Sequence, residues 1–139
     1  MGNKSISIKT IVQHLIIEPN KTMMFCVVSY IIKINGIYDV LCALAILKVI
    51  NVPILGELHL SMMKDYDNTN ILFERFLAYW IFTYGIIRIV DNGGILVPLS
   101  YTVECLFFVN ECWHESVHVG KATFVALSSL FMCYISFSK

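Results

Sequence analysis

The sequence predicts an all-α protein: a polytopic membrane four-helix bundle with an N-terminal interfacial amphipathic helix. Two observations support this fold class. The 139 residues are 58% hydrophobic and only 14% charged, whereas charged residues make up about a quarter of a typical soluble domain. The apolar residues also gather in runs close to the roughly 20 residues that a helix needs to cross a bilayer. We therefore expect residues 1–139 to form a single integral membrane domain.

The first segment, about residues 5–18, has the spacing of an amphipathic helix. Ile8, Ile11 and Leu15 recur every three or four positions, with polar residues between them, so one face is apolar and the other is polar. Such a helix lies in the plane of the membrane interface. Pro19 is expected to end it, because proline cannot continue the hydrogen-bonding pattern of a helix.

The next apolar run, residues 23–50, contains the first membrane span, and two interpretations of it remain open. It is either one long tilted span or a short interfacial helix followed by a span over about residues 31–50. The second is favoured, because Lys33 can then extend its amine to the lipid head groups. Asp39 lies deep in the membrane in both cases.

Three further spans are expected, over about residues 71–90, 95–113 and 122–137. The second and third spans are joined by the short turn at residues 91–94, so they must be antiparallel. Small residues in the fourth span favour close contact between helices. Four spans place both ends of the chain on one side of the membrane.

The charged residues of the spans predict two polar layers inside the bundle. At about 1.5 Å per helical residue, Asp39 and Glu104 both lie roughly 13 Å from the membrane face nearest the turn at residues 91–94. Arg88 enters the membrane from that same face. Since an unpaired charge in lipid is costly, the three residues are expected to form one buried ionic cluster.

The second layer lies about 24 Å from the same face, where Glu111 and Arg75 reach similar depths. The sequence therefore predicts an ion pair between them. An alternative interpretation gives both layers a purely structural role, in which they fix the register and orientation of the helices.

A histidine motif follows the third span. Residues 114–118 read His-Glu-Ser-Val-His, which matches the HExxH pattern in which two histidines on one helical face bind zinc and the glutamate activates a water molecule. His114 and His118 would be the ligands, Glu111 a third ligand and Glu115 the catalytic base. The competing interpretation is that these are polar interfacial residues at the end of a helix.

Charge and cysteine usage exclude other classes of partner and site. The formal net charge is zero and there is no basic tract, so a surface for nucleic acid is not expected. The five cysteines are odd in number, lie in apolar segments and form no CxxC pair. They are expected to be reduced and to pack as small hydrophobic residues.

The second and third spans carry the pattern Arg75-x4-Trp80-x4-Gly85-x2-Arg88, followed by a tyrosine and a glutamate in Tyr101-x9-Glu111. This pattern resembles the small four-span endoplasmic-reticulum scaffold family of ergosterol biosynthesis, whose members tether the enzymes of sterol C-4 demethylation. The resemblance implies an endoplasmic-reticulum location and sterol enzymes as partners. It also implies that Arg75, Trp80, Arg88, Tyr101 and Glu111 hold the bundle in shape for docking, with no catalytic residue and no cofactor.

The function predicted from these observations is that of a non-catalytic membrane scaffold or adaptor, with membrane lipids, other membrane proteins or a second copy of the chain as partners. One alternative is a metal-dependent membrane hydrolase that uses zinc in the His-Glu-Ser-Val-His motif. A second alternative is an oligomeric ion or proton channel or carrier, which would use Asp39 and Glu104 as its ion site.

Overall fold

A computed structural model describes residues 8–64, 70–91 and 94–137, with side chains described from Met23 onward. These residues form helices and no β-strand, which confirms the all-helical prediction. The five helices are α1 (Ile8–Ile46), α2 (Pro53–Leu60), α3 (Ile71–Val90), α4 (Leu96–Trp113) and α5 (Val119–Phe137).

Helix α1 corrects the prediction for the start of the chain. The helix runs through Pro19 without a break, so residues 8–18 belong to α1 and do not form a separate interfacial helix. Residues 5–7 lie outside the described part. A proline inside a helix removes one hydrogen bond and costs about 3 kcal/mol, which the many remaining hydrogen bonds of a 39-residue helix can offset. Residues 23–46 continue this helix, so the structure shows no break between a short interfacial helix and a segment that begins near residue 31.

The end of α1 is set by a Schellman motif, so the helix ends before residue 50. Lys48 adopts a left-handed backbone conformation with φ of 60°. The Val49 amide donates to the Leu44 carbonyl at 2.9 Å, and the Lys48 amide donates to the Ala45 carbonyl at 3.0 Å. These two hydrogen bonds satisfy carbonyl groups that the last turn of a helix leaves free.

Polar side chains lie at both ends of α3, where one caps α3 itself and the other caps the start of α4. The Asn70 side chain accepts a hydrogen bond from the Phe73 amide at 3.0 Å, which satisfies a free amide of the first turn. Asp91 follows the last residue of α3, and its carboxylate accepts from the Gly94 amide at 2.9 Å and from the Val97 amide at 3.3 Å. The turn between α3 and α4 is therefore held by one aspartate.

The bundle consists of two closely packed helix pairs, α1 with α3 and α4 with α5, and contacts between the pairs are sparser. Helices α1 and α3 are antiparallel and meet at Gly36 and Gly85. A Cβ atom added to Gly85 would lie 2.8 Å from the Gly36 carbonyl oxygen, and the converse distance is also 2.8 Å. Only glycine at both positions allows the two backbones to approach this closely.

At one end of the bundle, the segment after α2 is hydrogen-bonded to the segment between α4 and α5. Met63 and Val117 form an isolated antiparallel bridge, in which the His118 amide donates to the Met62 carbonyl at 2.8 Å. Beside it, the Lys121 amine donates to the carbonyl and the hydroxyl of Ser61. The segment after α2 is thereby fixed to the turn between α4 and α5.

The surface of the molecule is apolar while its interior contains charge. Arg88, Asp39 and Glu74 are buried, and large hydrophobic side chains on the outer faces of α3, α4 and α5 are exposed. Two segments of the described chain, Met23–Ile46 within α1 and Val119–Phe137, are long and apolar enough to cross a membrane.

Candidate binding site in the bundle interior

The interior of the bundle is organised around the guanidinium group of Arg88, which is 1% exposed. Its Nη1 atom donates to Oδ2 of Asp39 at 2.6 Å, and its Nη2 atom donates to Oε2 of Glu104 at 2.8 Å. Nε donates to the Ser100 hydroxyl at 3.2 Å. One arginine of α3 thus joins α1 and α4.

Neighbouring polar groups complete the cluster. The Tyr101 hydroxyl donates to Oδ1 of Asn35 at 2.7 Å, while the Tyr101 ring lies 3.8 Å from the guanidinium carbon of Arg88, within the range of a cation–π contact. The Ser129 hydroxyl donates to Oε2 of Glu104 at 2.7 Å. Through Ser129 the cluster also includes α5, so all four long helices contribute to it.

A cleft of about 500 Å³ lies between α1 and α5 and reaches this cluster. Polar and ionisable side chains form part of its lining, and apolar side chains form the rest. The polar group comprises Asn35, Tyr38, Asp39, His59, Tyr101, Glu104, Ser128 and Ser129, and the apolar group comprises Ile31, Ile34, Phe124, Val125 and Met132. The volume falls within the range of ligand pockets in proteins.

His59 places an imidazole of α2 at one end of the cleft. Its ring lies 6.0 Å from the ring of Tyr38, and its Nδ1 atom is buried without a hydrogen-bond partner among the described residues. Burial lowers the pKa of His59 from its ordinary value of 6.5, and the negative charge of Glu104 opposes this shift only in part. The imidazole is therefore neutral at pH 7.

Two carboxylate oxygens of the cluster also lack a donor. Arg88 and Ser129 both donate to Oε2 of Glu104, and Arg88 donates to Oδ2 of Asp39. No described residue donates to Oε1 of Glu104 or to Oδ1 of Asp39. The cleft is therefore bordered by residues with unused hydrogen-bond acceptors.

The structure brings together the three residues expected to form an ionic cluster, Asp39, Arg88 and Glu104, and adds Tyr101 to them. Trp80 lies elsewhere, between α3 and α4, where its ring packs 4.6 Å from Phe107 and 5.1 Å from Tyr84. It contributes to packing between these helices and not to the cluster.

The predicted ion pair between Arg75 and Glu111 is wrong. Arg75 is exposed and forms no ion pair with any described residue, while Glu111 accepts hydrogen bonds from Asn110 and Ser116. Helical rise gives the depth of a residue, but the direction of its side chain depends on rotation about the helix axis.

Glu74, one position before Arg75, is the acidic residue that points into the bundle. It is 6% exposed and lies on the same face of α3 as Ala78, Gly85 and Arg88, which follow it at helical spacing. Lys48 forms an ion pair with Glu74 at 3.8 Å. This pair links the end of α1 to the start of α3.

The structure does not give the His-Glu-Ser-Val-His motif the helical geometry that the zinc alternative requires. Helix α4 ends at Trp113, and Glu115 has a left-handed φ of 56°. The Ser116 amide donates to the Glu111 carbonyl and the Glu115 amide to the Cys112 carbonyl, which is again a Schellman motif.

As a result, the two histidines do not share one face of a helix. His114 immediately follows α4, and His118 precedes α5. Within the described residues, no group of three His, Cys, Asp or Glu side chains is placed to hold a metal ion. The carboxylate of Glu111 accepts a hydrogen bond from the Ser116 hydroxyl.

Sequence reasoning missed Asn35, Ser100 and Ser129, which bind the charged residues of the cluster. Serine and asparagine side chains can hydrogen-bond from one packed helix to another. Ser129 lies one position from Ser128 in a run of small residues. That run predicted close packing, but nothing in it predicted a hydrogen bond to Glu104.

Comparison of the chain with protein-family models, with curated proteins and with solved structures finds no match in any of the three.

Proposed function

We propose that the chain is a four-span membrane protein that acts by binding, as a non-catalytic scaffold or adaptor, and that its spans are residues 23–46 of α1 together with α3, α4 and α5. The observation that carries this proposal is the distribution of polarity. Charged side chains are buried at the centre of the bundle, and large apolar side chains cover its outside. Water favours the reverse arrangement, whereas a bilayer favours this one.

Helices α3 and α4 are suitable spans even though they contain charged residues. Their 20 and 18 residues correspond to about 30 Å and 27 Å of helix, close to the thickness of the hydrocarbon core. Arg88 and Glu104 pair inside the bundle, and Glu74 pairs with Lys48, which lies just beyond the end of α1. Arg75 is exposed near the start of α3, where a long cationic side chain can reach the head groups.

A scaffold role agrees with the position of the polar groups, which link the helices to one another inside the bundle. The central cluster joins all four spans, and its charges hold the helices in one arrangement. The outer face of α3 is free for lipid or protein, with Leu72, Phe76 and Tyr79 exposed beside Arg75. This face offers apolar side chains for contact with a partner and the Arg75 cation for an ion pair with an acidic group of that partner. It also fits a second copy of the chain.

The resemblance to the scaffold family of ergosterol biosynthesis supports the same role. It suggests sterol enzymes of the endoplasmic reticulum as partners. The hydrolase alternative requires both histidines on one helical face, whereas His114 and His118 flank a turn.

The four-span arrangement can be tested by labelling single cysteines in an otherwise cysteine-free chain. Ile95 and Trp113 flank α4 at opposite ends and are 72% and 86% exposed. With four spans, Ile95→Cys and Trp113→Cys react with a membrane-impermeant thiol reagent from opposite sides of a sealed vesicle. Labelling of both from the same side would show that α4 does not cross the membrane.

Partner binding can be tested by crosslinking in the native membrane followed by purification and mass spectrometry. We expect the wild type to recover specific membrane proteins and Arg75→Ala to lose them while still folding. His118→Ala is the matched control, since its side chain is exposed between α4 and α5 and does not belong to α3, and it should keep the partners. Recovery of no membrane protein by the wild type would contradict the scaffold role.

A further inference from the structure

We propose that the cleft between α1 and α5 binds a membrane-soluble amine, with the carboxylates of Asp39 and Glu104 receiving the N–H groups of its ammonium. The proposal assigns a ligand to a site that a scaffold role does not require. It rests on the placement of the bundle in a membrane, but it does not depend on the identity of protein partners.

The charge of the cluster supports a cationic ligand. When both carboxyl groups are ionised, Asp39 and Glu104 supply two negative charges against the single positive charge of Arg88. Among the described residues, no lysine and no arginine lines the cleft, and burial lowers the pKa of His59. An unbalanced negative charge among apolar helices is costly, and a bound monovalent cation removes that cost.

The free acceptor atoms support an ammonium with several N–H donors. Oδ1 of Asp39 and Oε1 of Glu104 receive no hydrogen bond from the described residues, and Nδ1 of His59 is buried without a partner. A primary ammonium carries three donors and no acceptor, which matches a site that offers acceptors. Phosphate or carboxylate head groups would be repelled by the same two carboxylates.

The position of the cleft supports a ligand with an apolar body. The cleft lies between α1 and α5, which have few contacts with each other and are the two helices with the strongest membrane-spanning composition. Ile34 and Phe124 line it and are 55% and 73% exposed, so its apolar lining continues onto the outer surface of the bundle. A ligand dissolved in the bilayer can therefore enter sideways with its hydrocarbon part against these residues.

The proposal can be tested with three probes that share one chain length: dodecylamine, dodecanol and dodecanoic acid. Each is added to the purified full-length chain in a mild nonionic detergent at pH 7, where an alkylamine is protonated. Binding is measured by native mass spectrometry and by the shift in melting temperature. We expect the amine to bind and stabilise the chain, and the acid and the alcohol to bind at least about tenfold more weakly.

Glu104→Gln separates ligand binding from folding. The glutamine keeps a side-chain oxygen for Arg88 and Ser129 but removes the surplus negative charge. We expect amine affinity to fall by about tenfold or more, which is the scale seen when one partner of a buried charge pair is lost. The melting temperature without ligand should stay unchanged or rise. Unchanged amine affinity in this variant would overturn the proposal.

A second pair of variants tests the cleft itself. Ser128 lines the cleft and its hydroxyl donates only to the carbonyl of Phe124 in its own helix, so Ser128→Phe fills the cleft without touching the ionic cluster. Leu127→Phe places the same ring on the exposed side of α5. We expect only Ser128→Phe to abolish amine binding. Equal binding by the two variants, or equal binding of dodecanol and dodecylamine to the wild type, would refute the proposed site.

These measurements are made in detergent and do not use a partner protein. Amine binding without recovered partners would leave the cleft proposal in place and remove the scaffold role. Partner recovery without amine binding would do the opposite.

Discussion

Arg88 makes four side-chain hydrogen bonds inside the bundle, to Asn35, Asp39, Ser100 and Glu104. Its guanidinium group presents five N–H donors in a fixed planar arrangement, which lets one side chain serve several acceptors at once. A lysine could neutralise charge at this position, but it could not hold the same set of partners. The architecture of the interior therefore depends on the shape of this group as well as on its charge.

The first prediction concerns this residue. Arg88→Leu leaves Asp39 and Glu104 buried without a cation, and loss of one partner from a buried ionic network costs about 3–5 kcal/mol. We expect the free energy of unfolding in mixed detergent micelles to fall by that amount. Arg75→Leu, on the exposed side of the same helix, is the control and should change it by no more than about 0.5 kcal/mol. Similar effects of the two substitutions would show that the cluster does not stabilise the fold.

The same residues show how far the sequence predicts the site. The depth of each residue along its helix was enough to predict the cluster of Asp39, Arg88 and Glu104. Opposite charges at one level inside an apolar bundle are stable only when they pair. Depth failed for Arg75 and Glu111, because Arg75 points outward while Glu74 takes the inward direction. Neutral partners such as Asn35 could not be predicted. Their pairing depends on how each helix is rotated about its axis and how closely it approaches its neighbour, and no local sequence pattern specifies either.

At the scale of elements, the approach of α1 to α3 depends on two glycines. Gly85→Ala places a methyl group 2.8 Å from the carbonyl oxygen of Gly36, and backbone cannot move aside as a flexible side chain can. We expect a loss of stability of about 1–3 kcal/mol, as found for overpacked interiors, measured by unfolding in mixed micelles.

The control for this substitution is Gly120→Ala in α5, where an added Cβ atom meets nothing within 4 Å. It should be neutral or slightly stabilising, because alanine favours a helix more than glycine does. A stable Gly85→Ala variant would mean that α1 and α3 can separate without penalty.

A further prediction concerns the turn after α4. Glu115 occupies a left-handed position that costs a residue with a Cβ atom about 1–2 kcal/mol and that glycine adopts freely. We therefore expect Glu115→Gly to raise the melting temperature. Glu115→Ala, which keeps the Cβ atom, should leave the melting temperature nearly unchanged. A lower melting temperature for Glu115→Gly would indicate that the carboxylate contributes interactions that outweigh this strain.

This turn also explains why the element boundaries were only partly predictable. Helix α3 covers the predicted residues 71–90, and α4 begins and ends within one residue of expectation, because apolar runs bounded by turn residues define them. The left-handed conformation of Glu115 after α4 was not predictable, because that conformation is normally adopted by glycine. In α1, Pro19 was read as a helix end, but the long helix tolerates it.

For the whole molecule, the apolar exterior leads to a prediction that distinguishes lipid from water. Phe131 is 62% exposed on the outer side of α5. In a bilayer, Phe131→Asp should cost about 2.5–3.5 kcal/mol in apparent insertion free energy, measured by glycosylation mapping of α5 in microsomes. At a surface facing water the same change would have almost no effect.

Phe137→Asp is the matched control, since Phe137 is 67% exposed but lies at the end of the same helix. A charge near the interface is tolerated better than one deep in the hydrocarbon region, so this variant should insert with a smaller penalty. Equal penalties at both positions would argue against a membrane-spanning α5.

The pairing of helices has a mechanical consequence. The α1–α3 unit and the α4–α5 unit are each internally well packed, and the contacts between them are sparser, with Arg88 reaching from one unit to Glu104 in the other. Each unit is internally well packed, so motion that keeps every helix intact is expected to rotate one unit against the other along this boundary. The Arg88–Glu104 ion pair crosses the boundary and opposes that rotation.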